Sequence, residues 1–520
     1  MKKEVYPIQQ INGFSPLLLD YLSNKPELKQ FFGQTPSLNS FESQIKLKSN
    51  FSTSSRKTLV KVLTEQYASI GDREGIQLLA NENTYTITTG HQLNIFTGPL
   101  YVIYKIVSVI NLTRTLKKKY PSNNFVPVYW LASEDHDFEE INHFYWNNQR
   151  HEWHSEQKGA VGKFNPFELE AVYKLFPDSV NFFKDAYKNA ATLSEAVIRY
   201  MDYLFGEEGL ICLDADHKEL KALLLPVIEK DVLAQGHEGI VAETTQQLQA
   251  LGYKTQVNAR PINFFYLKDQ VRERIEKSDK YAVLQTDIQF DESQMAEEIR
   301  LYPERFSPNV ILRPLYQECI LPNLAYIGGP AELVYWLQLK GVFDLHQVPF
   351  PILVPRNFAT ILSVSQLAKI DRMGLKASDL FLGKNELREL ILKKFGSGEQ
   401  DLTEQLKQLK ELYLEIEDKA KKVDQTLINS VHSHLKKSSN AFEAIQNKLQ
   451  KAELRNQSEW TEQIDRLKSK LFPGGTWQER RDSLLNFYPQ NPKFIKDLLN
   501  LFDPLAFEMN FLIVDEDAKA

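Results

Sequence analysis

The sequence predicts an α/β protein built on a doubly wound, largely parallel sheet, followed by an α-helical coiled-coil arm. Three observations predict it. Residues 84–142 read as a strand, a Gly-Pro-punctuated turn, a long helix, a second strand and then the acidic run Glu134-Asp135-His136-Asp137. Over residues 84–359, short apolar runs alternate with helical patterns, as βαβ units require. Beyond about residue 363 the strand signals stop and a heptad seam takes over.

Taken in order, the strand candidates are residues 84–88, 126–132, 209–213, 262–267, 310–312 and 350–354. Several are apolar without strict alternation, which suits strands covered on both faces of a parallel sheet. Residues 144–200 are rich in Trp, His, Asn and Lys and lack a clear period, so they read as an insertion between core elements. A second insertion is expected over about 268–305, which places the core and its insertions in residues 1–375. In the arm, expected over 376–472, Leu402, Leu406, Leu409, Tyr413, Ile416, Ala420, Val423 and Leu427 alternate steps of four and three. That is an a/d seam. Val431 and Leu435 insert a stutter, and Ser438, Phe442, Ile445, Leu449 and Ala452 resume it. A return helix places Trp460, Ile464, Leu467 and Leu471 on one face before Pro473-Gly474-Gly475 ends it. The pattern fits an antiparallel or a dimeric coiled coil. Residues 473–520 are expected to be a helical segment packed on the core or the arm.

Composition narrows the function. The 520 residues are 42% hydrophobic and 25% charged, ordinary for a globular protein. A net charge of −6 argues against a nucleic-acid binder, which usually carries a basic domain. The arm itself, residues 401–470, holds 13 Lys/Arg against 12 Asp/Glu, a poor clamp for phosphate backbones. No apolar stretch reaches the ~20 residues that cross a bilayer, and Glu4, Gln9, Gln10 and Asn12 interrupt any signal-like start. Two distant cysteines, Cys212 and Cys319, exclude a thiolate zinc cluster and suit a reducing compartment. A cytoplasmic location is expected.

Four constellations could carry chemistry. In the turn from Gly90-His91-Gln92 to Thr97-Gly98-Pro99, Gly98 permits close backbone approach and Pro99 suits a helix start. The helix that follows would aim free N–H groups at the strand ends, a generic phosphate site. His91 and Thr97 could add hydrogen bonds, and Lys105 a charge. The acidic run just past residues 126–132 sits at a strand end, where like-charge crowding and desolvation could poise one group as a base. Metal ligation there is conceivable, although the spacing matches no zinc motif. The alternative is a solvated loop whose acids cap the helix near Phe138. Third, Gly328-Gly329-Pro330-Ala331-Glu332 repeats the strand, glycine turn and proline helix start. Fourth, Ser307-Pro308-Asn309 with Arg313, and separately Arg356, offer groups for an anionic substrate. No P-loop, GxSxG elbow or Cys-His pair occurs.

At these residues the chain resembles the bacillithiol biosynthesis cysteine-adding enzymes, the BshC family. The stretches that carry the resemblance are TTGHQLNIFTGPLYVIYK, VPVYWLASEDHDFEEINHFYW, FSPNVILRP, AYIGGPAELVYW and PFPILVPR, in order across the core. The resemblance implies a Rossmann-type core like that of class I aminoacyl-tRNA synthetases, with inserted connecting segments and a dimerising coiled coil. It also implies a ligase that joins the carboxyl of L-cysteine to the amine of glucosaminyl-malate, with ATP and Mg²⁺ (ADP being one product) and without a tightly bound structural metal. Glu134, Asp135, His136 and Asp137 would then supply the catalytic base. Gln92, Thr97, Gly98, Lys105, Ser307, Asn309, Arg313, Gly328, Gly329, Glu332 and Arg356 would bind substrate or nucleotide. Activation through an adenylate or an acyl phosphate stays open at this point. So do two other readings: an amino-acid-activating enzyme acting on another amine, and a non-catalytic coiled-coil scaffold.

Overall fold

A computed structural model describes every residue except Leu175, Gln400 and 516–520. Its contacts divide the chain into two compact units, one of residues 1–9, 14–361 and 476–520, the other of residues 10–13 and 362–475.

The first unit is organised by a five-stranded parallel sheet. Its strands are β1 (Thr84–His91), β2 (Asn124–Leu131), β3 (Ile211–Asp214), β4 (Asn323–Gly328) and β5 (Ile352–Pro355). Their spatial order is β5-β4-β1-β2-β3. The chain therefore winds outward from β1 to β3 and then returns to the other side of β1 with β4. That reversal creates a crevice beyond the carboxyl ends of β1 and β4, the usual ligand position in such sheets. Thr88 lies beside Val128 on β2 and Tyr326 on β4, and the β4–β1 pairing shifts register between Asn323 and Ala325. Helix α1 (Leu100–Lys119) makes the first crossover and is buried on nearly every face, because Val109, Leu112 and Leu116 join Ile87, Ile327 and Val354 in the core. Lys117, Lys118 and Lys119 occupy its last turn, where cations complement the helix dipole.

Three sequence expectations need correction. Residues 262–267 do form a strand, Phe264–Lys268, but it lies in a separate five-stranded antiparallel sheet with Val271–Lys277, Tyr281–Val283, Gln289–Phe290 and Phe306–Pro308. Residues 310–312 are not a strand. They lead into helix α2 (Arg313–Ile320), because the Asn309 side chain accepts from Ile311 N–H at 2.9 Å and turns the chain. The tail over 473–520 is not wholly helical either. It ends in Glu508–Val514, paired antiparallel with Lys2–Pro7. Neither strand carries a local signal, since each finds its partner only at the far end of the chain. The first insertion holds a hairpin of His143–Trp146 and Gln149–Glu152 and then helices up to Leu193–Phe205. The helix that follows β4 is α3 (Pro330–Trp336).

In the second unit, helices α4 (Thr403–Val423) and α5 (Ile428–Asn456) lie antiparallel, joined through Gln425–Leu427. Tyr413 Oη meets Ser438 Oγ at 2.9 Å, and Glu417 meets His432 at 3.0 Å nearer the turn. The seam thus closes within one chain. It closes incompletely: neither helix has a fully buried residue, and Ile416, Val423, Leu427, Ile445 and Leu449 are exposed. In α6 (Ser458–Leu471), Ile464, Leu467 and Leu471 are buried and Trp460 stacks on Phe395.

Candidate active site

The carboxyl ends of β1, β2 and β4 open into a cleft of about 620 Å³. Its lining includes the carboxylates of Glu134, Asp135, Asp137, Glu140 and Glu332 together with Asn309, Arg313 and Tyr326.

The acidic run follows β2 directly, so the strand aims all four residues at the cleft, but their surroundings differ. Glu134 accepts from Lys221 Nζ at 2.7 Å, and Lys221, fully buried, also donates to the Phe306 carbonyl at 2.7 Å. Burial pushes the Glu134 carboxyl upward, partly offset by that ammonium. Asp135 accepts from Gln92 Nε2 at 2.8 Å and from His136 N–H at 2.8 Å, with Arg272 Nη1 3.7 Å away. Burial alone would raise it; the hydrogen bonds from His136 and Gln92 and the Arg272 charge outweigh burial and hold it well below the usual carboxylate range. His136 Nδ1 lies 2.8 Å from Arg272 Nη1. A guanidinium only donates, so Nδ1 accepts and a neutral His136 ring carries its proton on Nε2. Asp137 stands at the N-cap of Phe138–Ile141 without capping it. The residue lines the cleft and is exposed.

Arg313 is held differently. Its guanidinium carbon lies 5.6, 5.5 and 5.8 Å from the ring centres of Trp130, Tyr326 and Trp336. Nη1 donates to Gln317 Oε1 at 3.2 Å, while Nη2 is buried and has no hydrogen-bond partner among the described residues. No carboxylate among those residues pairs with it. A guanidinium that borders the cleft, ringed by aromatic faces and with one N–H group lacking an acceptor, has the chemistry to meet an anion.

Several expected residues support the cleft from behind or stand elsewhere. Lys105 is 1% exposed and donates to the Gly90 carbonyl at 2.9 Å and to Glu332 Oε1 at 2.6 Å. It fixes Glu332, which also accepts from Gly329 N–H at 3.0 Å. Burial would raise the Glu332 carboxyl, yet the Lys105 ammonium and the Gly329 N–H bring it below its ordinary value. Ser307 accepts from Arg272 Nε at 3.1 Å and is buried. His91 lines the cleft against Tyr101 Oη, 3.3 Å away, and burial with the nearby Lys105 charge lowers its pKa to about 3, so the ring is neutral.

Thr97, Gly98, Gly328, Gly329 and Arg356 do not line the cleft. The turn at Thr97-Gly98 packs under the first insertion: Phe96, at φ 52°, is surrounded by Phe144, Phe176, Phe183 and Tyr187. Pro99 is the N-cap rather than the first helical residue, and Leu100 N–H donates to the Asp482 carbonyl at 2.8 Å. A backbone segment thus occupies the helix start that the sequence offered to phosphate. Gly98 is glycine because it sits at φ 61° and a Cβ would lie 2.5 Å from that of Asn94. Gly328 is glycine because a Cβ would meet Leu333 at 2.7 Å. Arg356 is 3% exposed and pairs bidentately with buried Glu479, at 3.0 and 2.5 Å. It is a structural ion pair. Conversely, sequence reasoning missed Lys221, Arg272 and Glu140. Lys221 lies 84 residues and Arg272 35 residues from the nearest of these motifs, and both reach the acidic run only through folding; Glu140 sat three residues beyond the acidic run, at a helical step that could have flagged it.

A profile of the bacillithiol biosynthesis BshC N-terminal Rossmann-like domain matches residues 1–357, and one of the BshC C-terminal coiled-coil domain matches residues 359–514. The chain belongs to the BshC family. A relative from Flavobacterium johnsoniae, named "Putative cysteine ligase BshC", is 41% identical and covers 99% of this chain and 100% of its own length. Relatives of the same name from Christiangramia forsetii and Cytophaga hutchinsonii are 39% and 36% identical, over 98% and 96% of this chain and 98% and 97% of their own. The Rossmann-like core, the coiled-coil arm and the reading of the chain as a ligase therefore stand. A solved Campylobacter jejuni structure, described as an arginyl tRNA synthetase, covers 84% of this chain and 99% of its own at 11% identity and a TM-score of 0.21, too low to carry a shared architecture. Among the described residues no helix is long and apolar enough to cross a membrane.

Proposed function

We propose that the protein joins the carboxyl group of L-cysteine to the amine of glucosaminyl-malate, completing bacillithiol, at the expense of ATP. The observation that carries this reading is a single cleft lined both by a guanidinium short of an acceptor and by a cluster of carboxylates. A substrate with an anionic malate end and an ammonium end fits both at once. Arg313 holds a malate carboxylate through Nη2, and the carboxylate cluster receives the sugar ammonium.

Amide formation needs an activated carboxyl, so ATP converts the cysteine carboxylate to an acyl adenylate or an acyl phosphate. The free amine attacks that carbonyl, the C–N bond forms, AMP or phosphate leaves, and the amine's proton passes to a carboxylate. Asp135 is a weak acceptor, being strongly acidic and already hydrogen-bonded, and Arg272 occupies the free lone pair of His136. Asp137, and Glu134 behind it, are left to take the proton. His136 can donate Nε2–H to a developing oxyanion. Among the described residues no group of three metal-ligating side chains is preassembled, so Mg²⁺ is expected to arrive with the nucleotide. The exposed apolar side chains left along the arm support pairing with a second copy.

The test is mass spectrometry of the purified protein with L-cysteine, glucosaminyl-malate and Mg-ATP. Bacillithiol with AMP is the adenylate route and bacillithiol with ADP the acyl-phosphate route. No ligated product from folded protein would overturn the proposal.

A further inference from the structure

Outside the cleft, three titratable side chains that the proposed chemistry does not use form one continuous line. Asp231, on the helix Leu225–Val232, and His237, ahead of Glu238–Ala250, are fully buried. The Asp231 carboxylate accepts three hydrogen bonds: from His237 Nδ1 at 2.8 Å, from Asn263 N–H at 2.5 Å and from Asn263 Nδ2 at 3.0 Å. Facing a carboxylate, His237 Nδ1 is the donor of that pair. His237 Nε2 meets His346 Nε2, 2.8 Å away at the end of Lys340–Leu345. Burial, with His237 and Lys230 nearby, lowers the His346 pKa to about 4, so its ring is neutral near pH 7.

The line continues towards the cleft. The Asn263 amide is fixed at both ends, because Nδ2 also donates to the Arg260 carbonyl at 2.7 Å and Oδ1 accepts from Arg260 N–H at 3.0 Å. Oδ1 accepts further from Asn309 Nδ2 at 3.1 Å, and the Asn263 carbonyl accepts from Asn309 N–H at 2.9 Å. Asn309 then sets the start of α2: its Oδ1 receives Ile311 N–H and its carbonyl receives Arg313 N–H, both at 2.9 Å. A buried carboxylate that spends three acceptor sites on one histidine and one asparagine, with no Lys or Arg partner among the described residues, is an expensive way to hold a loop. It is a good way to fix one amide in a single orientation.

We propose that Asp231, His237 and His346 are positioning residues for the anion site, acting through Asn263 and Asn309 to fix the first turn of α2 and with it Arg313. The proposal rests on the reading that Arg313 receives the anionic end of the substrate. None of the three touches the cleft. What they control is where the guanidinium sits between Trp130, Tyr326 and Trp336.

The test uses full-length protein with Asp231→Asn, which keeps the shape but turns an amide N–H₂ towards donors, and with His346→Gln, at a half-buried site where the fold should survive. Hydrogen exchange is followed by mass spectrometry in peptides covering 306–316 and, as control, 84–91. L-malate affinity is read from tryptophan fluorescence, since Trp130 and Trp336 flank Arg313, and L-cysteine affinity is measured beside it. The expected result is faster exchange over 306–316 alone, and an L-malate Kd about tenfold higher, the order produced by sub-ångström misplacement, with L-cysteine affinity unchanged. Unchanged exchange, or unchanged L-malate affinity in folded variants, would overturn the proposal. So would equal losses for both ligands with a lowered Tm, which is what a purely structural network gives. If the wild-type protein binds no L-malate, the anion reading of Arg313 fails, and exchange over 306–316 alone decides the positioning role.

Discussion

Arg313→Met separates binding from stability more cleanly than any other single change. Methionine keeps an unbranched stem between Trp130, Tyr326 and Trp336 and removes only the guanidinium. In the free protein that guanidinium contacts the three rings, Tyr335 and Gln317 Oε1, the last at 3.2 Å from Nη1, while Nη2 is buried without a hydrogen-bond partner among the described residues. A buried donor left unmade costs about 1–3 kcal/mol. Its removal is therefore expected to leave Tm unchanged or raise it. With the anionic substrate bound, the same Nη2 gains a charge-assisted hydrogen bond of about 1.5–3 kcal/mol, and losing it corresponds to about a 10- to 150-fold rise in KM for glucosaminyl-malate. The assay is steady-state ligation with each substrate varied in turn, beside a thermal melt. KM for L-cysteine should hold. A large drop in Tm would show that the arginine is a structural element of the cage. An unchanged KM for glucosaminyl-malate would refute the anion-receptor argument itself.

Other expectations follow from the same geometry. Asp137→Asn should slow turnover by about 10²–10⁴-fold, the range for loss of a positioned base, whereas Asp135→Asn should act mainly on substrate binding; full activity in Asp137→Asn together with His136→Ala would dismiss the acidic run. Glu479→Ala strands a buried Arg356 and should cost about 3–5 kcal/mol in urea unfolding, and a loss below 1 kcal/mol would show that water reaches that pair. Asp482 is pushed up to about 6 by burial, so its neutral form suits the fold. A carboxyl with a raised folded-state pKa contributes fully below its unfolded value, and that contribution is lost as pH rises through about 6. Asp482→Asn should thus raise Tm near pH 7.5 and leave it unchanged near pH 4, which melts at the two pH values will check. In the arm, Ile445→Lys with Leu449→Lys should convert a dimer to a monomer in light scattering; a wild-type monomer would remove the pairing proposal.

Much of the parallel sheet could be read from the sequence because buried strands leave short apolar runs, as at residues 84–88 and 126–132. The heptad seam was legible for the same reason: one period repeated many times. The antiparallel sheet around Phe264–Lys268 was harder, since its members are short and its register depends on a hairpin and on Phe306–Pro308, which carries a proline. In the site, the acidic run and Arg313 were legible because each adjoins an element boundary. Thr97, Gly98 and Arg356 misled because a glycine turn or an arginine after a strand looks the same whether it meets a ligand, an insertion or Glu479. Lys221 and Arg272 could not be found, because a lone cation in a helix or strand shows no preference for the carboxylate it will eventually face.

The pairing of Lys2–Pro7 with Glu508–Val514 has a consequence for synthesis. Lys2 faces Ile513 in that ladder, so this strand waits for a partner made some 500 residues later. At about 5–20 residues per second on the ribosome, the wait is on the order of half a minute or longer. Throughout it the Lys2–Pro7 segment is an unpaired edge, open to strands of neighbouring nascent chains. Its sequence, KKEVYP, is suited to that interval: two lysines, a glutamate and a terminal proline discourage a stray partner until the correct one emerges.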